Sequence, residues 1–154
     1  MPKIIPSLWF DGQAAEAIAF YSAIFNRSGL KETQPNADGS LLCATFELEG
    51  QEFFAINGGP HFTFNEAVSF LIRCDSQEEV DFYWERLLAD GGTPSQCGWL
   101  KDRFGLSWQV VPRLLNRLTS DPDRQRAGRV ALLEPRQCAP GAQVVRGGPA
   151  GRHG

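Results

Sequence analysis

Apolar and polar positions along this chain follow two rhythms, one helical and one of period two, and the sequence of rhythms occurs twice. Lys3 to Phe10 is a mostly apolar run between a proline and an Asp-Gly break, and reads as a strand. Beyond it Ala14, Ala17, Ile18, Tyr21, Ile24 and Phe25 fall at helical spacing and define one buried face. Asp11, just ahead, has the side chain of an N-cap, and Asn26 to Gly29 closes the helix. Leu41 to Leu48 and Gln51 to Asn57 alternate around Glu49-Gly50, which predicts a hairpin. Asn57-Gly58-Gly59-Pro60 then breaks the pattern and opens a loop through His61 to Glu66.

The second pass starts with a strand over Ala67 to Cys74. Asp75 or Ser76 caps the next helix, with Glu78 or Glu79 placed for a capping box. Val80, Tyr83, Trp84, Leu87 and Leu88 form its apolar stripe, and Gly91-Gly92 ends it. Short strands follow at Thr93 to Ser95, Trp99 to Lys101 and Leu106 to Val111, around turns at Cys97-Gly98 and Phe104-Gly105. Asp11 and Asp75 stand 64 positions apart, and the pairs Phe20-Tyr21 and Phe82-Tyr83 stand 62 apart. A repeat of that length predicts two supersecondary modules, at about 3–59 and 66–112, sharing one core. Two appended helices are expected at 112–119 and 122–133. From Pro135 to Gly154 proline, glycine and arginine dominate without acids, a composition that predicts a flexible tail.

Composition narrows the function. A chain of 154 residues with 42% hydrophobic and 21% charged residues is most simply one soluble globular domain, here 1–134. A net charge of −3 and a pI near 5.4 argue against a nucleic-acid surface. No apolar run reaches the roughly 20 residues that span a bilayer, and the start lacks a signal peptide's apolar core. Cys43, Cys74, Cys97 and Cys138 are scattered, with no CxxC pair, and only His61 and His153 could join them at a zinc ion. Reduced thiols in a cytoplasmic protein are the expectation.

Several motifs carry a resemblance. Leu8-Trp9-Phe10-Asp11-Gly12 with Ala17 to Tyr21, Gly50-Gln51-Glu52-Phe53 to Gly59, and Cys97 to Asp102 followed by Gly105-Leu106-Ser107-Trp108-Gln109 are similar to the PhnB-like branch of the vicinal-oxygen-chelate superfamily. That superfamily includes glyoxalases, extradiol dioxygenases and bleomycin-resistance proteins, and the branch is often labelled 3-demethylubiquinone-9 3-methyltransferase-like. The resemblance covers roughly Ile4 to Val130. It implies an α+β fold of tandem β-α-β-β-β modules forming a half-open mixed β-barrel, a ligand cavity and a homodimer. Chelating relatives hold a divalent metal on four strands. The corresponding positions here are about Pro6, Phe53 or Ala55, Val68 and Gln109, of which only Gln109 has a donor, and an amide is a poor ligand for such metals. The resemblance with these departures implies a cavity without metal or other cofactor.

Strand alternation then lines the cavity with Leu8, Phe10, Phe53, Val68, Phe70 and Gln109, with Trp99 nearby and Trp108 facing the helix layer. The ligand-binding candidates are Phe10, Phe53, Asn57, Phe70, Trp99, Lys101 and Gln109. Aromatic residues in such positions also fill barrels, Asn-Gly is ordinary turn chemistry, and Lys101 beside Asp102 is equally a surface ion pair. Gln109 orients a ligand carbonyl or hydroxyl, or else satisfies backbone. His61, the one histidine inside the folded region, is the candidate proton shuttle, against the plain alternative of a solvated loop residue. Methyl transfer lacks support, because Gly58-Gly59-Pro60 leads into a loop rather than a helix and has no acidic ribose partner. The expected function is metal-independent binding of a small apolar or aromatic molecule, of the sequestering or resistance type. The alternatives are an enzyme acting on a small carbonyl or quinone-like compound, and an interaction module with a filled cavity.

Overall fold

The computed structural model describes residues 2–113. Two compact units divide them: Met1–Val68 joined by Phe104–Leu106, and Ser69–Arg103 joined, among the described residues, by 107–113. The appended helices and the tail expected beyond lie outside the described residues, except that Pro112 ends a strand.

The first unit runs β1 (Ser7–Phe10), α1 (Ala14–Ile24), β2 (Gly29–Pro35), β3 (Leu41–Leu48) and β4 (Gln51–Asn57). Its sheet has the order β1-β4-β3-β2, with β1 parallel to β4 and the other pairs antiparallel. The hairpin between β3 and β4 turns on Glu49 (φ 51°) and Gly50 (φ 80°). Both central residues are left-handed, as a two-residue turn needs if it is to match strand twist. Helix α1 buries Ala14, Ala17, Ile18, Tyr21 and Ile24, the face its spacing predicts. The buried strand residues are Leu8 and Phe10, Ala44, Phe46 and Leu48, and Phe53 and Ala55. Cross-strand register puts all seven on one face. Phe104 completes this core, edge-on to Phe10, Phe20 and Tyr21.

The second unit runs β5 (Ser69–Cys74), α2 (Gln77–Leu88), β6 (Thr93–Pro94), β7 (Trp99–Lys101) and β8 (Ser107–Pro112). Its order, β5-β8-β7-β6 with β5 parallel to β8, repeats the first. Helix α2 lies against β8, β7 and β5 and buries Val80, Tyr83, Trp84 and Leu87. The strand face that meets it carries Cys74, Leu100, Trp108 and Val110, each nearly inaccessible. The duplication read from the sequence is therefore present as two α+β modules. Their strands make two separate mixed sheets, and no closed barrel forms among the described residues.

Three local expectations change. Asp11 does not cap α1: the N-cap is Gln13, without a side-chain bond, and the Ala14 N–H instead donates to Asn57 Oδ1 at 2.9 Å. Strand β2 fills the place that the β-α-β-β-β pattern requires, but the periodicity does not locate it, because Gly29–Pro35 is exposed along almost its whole length and shows no alternation. Cys43 and Cys74 are free thiols, whereas Cys97 is disulfide-bonded, which departs from the reduced state expected of the cysteines. No described helix is long and apolar enough to cross a membrane.

Candidate functional site

Successive strand residues point to opposite faces, so covering one face with a helix decides which residues remain for a ligand. The observed phase is one residue away from the expected one at four positions. Leu8, Phe10 and Phe53 lie on the face that α1 covers, and Phe70 pairs with Trp108 on the face that α2 covers, their rings 5.5 Å apart. Val68 precedes β5 and is 65% exposed. Trp108 faces the helix layer as expected, and its indole N–H donates to the buried Asp102 carboxylate at 2.8 Å.

On the first unit the open face carries Trp9, Cys43, Thr45, Glu47, Glu52, Phe54 and Ile56, all half-buried. The Trp9 indole N–H donates to the Gly59 carbonyl at 2.9 Å, and Phe62 packs edge-on against the ring at 5.0 Å. A Cβ at Gly58 would stand only 2.1 Å from Cζ2 of Trp9, so only glycine fits beneath the indole. His61 is exposed on this loop. Asn57 has its amide engaged at both ends, accepting from Ala14 N–H and donating to the Leu41 carbonyl at 3.0 Å.

The open face of the second unit holds three expected ligand-binding residues together. Register places Ser69, Ser107 and Lys101 in one row across β5, β8 and β7, and Leu71, Gln109 and Trp99 in the next. Arg73 and Val111 make a third row. Residues directly opposite on a shared face are close enough for side-chain contact. Gln109 Nε2 donates to Ser69 Oγ at 2.9 Å, tying the first two rows diagonally. Trp99, Lys101 and Gln109 are half-buried, and Leu71 is 50% exposed. The Ser107 hydroxyl is fully buried and has no hydrogen-bond partner. Ser69, Ser107 and Leu71 escape a reading of single residues; β5–β8 register is the signal that finds them.

The donor set can be tested against the metal that chelating folds of this shape hold. Shifting the expected ligand positions by one residue onto the open faces gives Ser7, Phe54 or Ile56, and Ser69 beside Gln109, none of which is an imidazole, thiolate or carboxylate. Among the described residues no group of three or more His, Cys, Asp or Glu side chains is placed to hold an ion. The described residues do not fit a divalent cation.

Paired units with this strand order define a protein of the vicinal-oxygen-chelate class. A profile described as 3-demethylubiquinone-9 3-methyltransferase matches residues 2–111. A Bacillus cereus PhnB protein that bears this description is 33% identical, and the match covers 72% of this chain and 99% of that one with a TM-score of 0.66. A Pseudomonas aeruginosa protein at 20% identity covers 73% and 98% with a TM-score of 0.60. The fosfomycin resistance protein FosX of Listeria monocytogenes, at 20% identity, covers 76% and 96% with a TM-score of 0.59. Likeness at 20% identity shows the fold alone. No curated protein matches the chain. The chain belongs to the 3-demethylubiquinone-9 3-methyltransferase-like, or PhnB-like, family.

Proposed function

We propose that the chain binds a small apolar or aromatic molecule on the open face of its second sheet and uses no metal ion to do so. The supporting observation is the row Leu71–Gln109–Trp99, in which an aromatic and an aliphatic side chain flank an amide fixed by Ser69. Apolar walls supply affinity through burial, and one oriented polar group selects among ligands. The family description does not bring methyl transfer with it, since a fold hosts many activities.

A thermal-shift screen of small aromatic and aliphatic compounds tests the reading. Ligands of this face raise the melting temperature by mass action, and Gln109→Leu abolishes the shift by removing the amide. Hits that survive Gln109→Leu unchanged, or a screen with no hits, would sink it.

A further inference from the structure

We infer that this face selects an aromatic ring that carries its own hydrogen-bond donor, as a phenol does, through the side-chain carbonyl oxygen of Gln109. Ser69 is the positioning residue that leaves that oxygen for the ligand. The inference rests on the binding reading above and adds the chemistry of the ligand.

An amide has a donor end and an acceptor end, and the two select opposite ligands. Gln109 commits its donor end inside the protein, where Nε2 donates to Ser69 Oγ at 2.9 Å between β8 and β5. Among the described residues Oε1 has no protein partner, and it remains accessible to solvent, unlike the enclosed Ser107 hydroxyl. No side chain has to move to expose it. Charge on the face favours the same orientation. Ser69 lies in the row before Gln109 and the exposed Arg73 in the row after it. Amide dipoles orient in the local field, and positive charge on the Arg73 side favours the oxygen end there.

The ring follows from what flanks the amide. Leu71 and Trp99 stand on either side of Gln109 in register. Neighbouring strands lie about 4.8 Å apart, so these two side chains start about 10 Å apart, width for one ring. Trp99 offers the flat apolar surface on which a ring packs offset or edge-on. A ring settling there strips water from Oε1. One that brings an O–H or N–H restores the lost hydrogen bond, whereas one without a donor leaves a dry, unpaired acceptor. That asymmetry lets a site built for an O–H or N–H reject the analogue lacking it. An ether or ketone fares worst, because its oxygen meets another oxygen.

Calorimetric titration of the full chain with phenol, anisole and acetophenone tests the inference. Phenol is expected to bind about tenfold more tightly than the other two, whose oxygens only accept. Gln109→Leu should erase that preference, whereas Gln109→Glu keeps an acceptor and should retain it. Ser69→Ala releases the amide to turn over, so the preference for phenol over acetophenone should shrink severalfold. A serine that merely supports the fold would leave that ratio unchanged, and such a result overturns its positioning role. Acetophenone binding as tightly as phenol to the parent chain overturns the donor requirement. If all three compounds are too small to bind, the Gln109-dependent hits of the thermal-shift screen decide. Each should carry a ring O–H or N–H, and hits without one overturn the inference while keeping the face. A screen empty of Gln109-dependent hits overturns both readings.

Discussion

At the scale of one residue, Cys74 shows how surroundings set chemistry. It ends β5 beneath α2, fully buried. Burial, with the negative charge of Glu79 and Asp75 added, pushes its pKa from 9.0 up to about 12. The thiolate is the reactive form, so this thiol is inert near neutral pH. The raised value also has a sign for stability. Between pH 9 and 12 the unfolded chain gives up the thiol proton while the folded chain keeps it, so stability contributed below pH 9 is lost as pH rises through that window. The slope is at most about 1.4 kcal/mol per pH unit for one group. Urea unfolding across pH 8 to 11 should therefore fall less steeply in Cys74→Ala than in the parent chain. Identical slopes would show that other groups carry the alkaline loss.

The two helices are started by different means, and only one can be read locally. Ser76 is the N-cap of α2: its hydroxyl accepts from Glu79 N–H at 3.1 Å, while Glu79 reaches back to Asp75 N–H at 2.7 Å. All three residues are neighbours in sequence, so the motif is visible there. For α1 the cap is Asn57, 43 positions away and fixed only once β4 lies beside β1. Asp11 has suitable chemistry, but local sequence cannot reveal that competitor. Strand β2 escapes notice for a related reason. An edge strand exposed on both faces needs no apolar alternation, and its two register shifts and Pro35 suit an edge that resists further pairing. These differences predict an order of effects in urea titrations. Ser76→Ala removes one cap and should cost about 1 kcal/mol. Asn57→Ala removes the cap of α1 and leaves the Leu41 carbonyl without its donor, and should cost roughly twice as much or more. An equal or smaller loss for Asn57→Ala would mean that water replaces the amide freely.

Across the whole molecule, the duplication was legible because both copies keep the same order of strand, helix and Phe-Tyr pair at spacings that differ by only two residues, and strand order repeats from β1-β4-β3-β2 to β5-β8-β7-β6. The phase of the faces was not. Alternation gives a period of two, but Leu8 and Phe10 are as apolar as Trp9, and only the docking of α1 decides which of them is covered. The two copies have also diverged in chemistry. The first open face sets Trp9, Phe54 and Ile56 beside Thr45, Glu47 and Glu52, whereas the second sets Leu71 and Trp99 beside Ser69, Lys101 and Gln109. The shifted strand positions here supply serine hydroxyls and one neutral amide, with no imidazole, thiolate or carboxylate. A divalent ion gains too little from such a set to offset its dehydration. Dialysis against a chelator should therefore leave the melting temperature and ligand affinity unchanged, and added Mn(II) or Zn(II) should not raise the midpoint, since a cation that favours the folded state must do so by mass action. Recovery of one tightly held ion per chain, with stability lost on its removal, would place the metal ligands among residues outside 2–113 or in a rearranged second sheet.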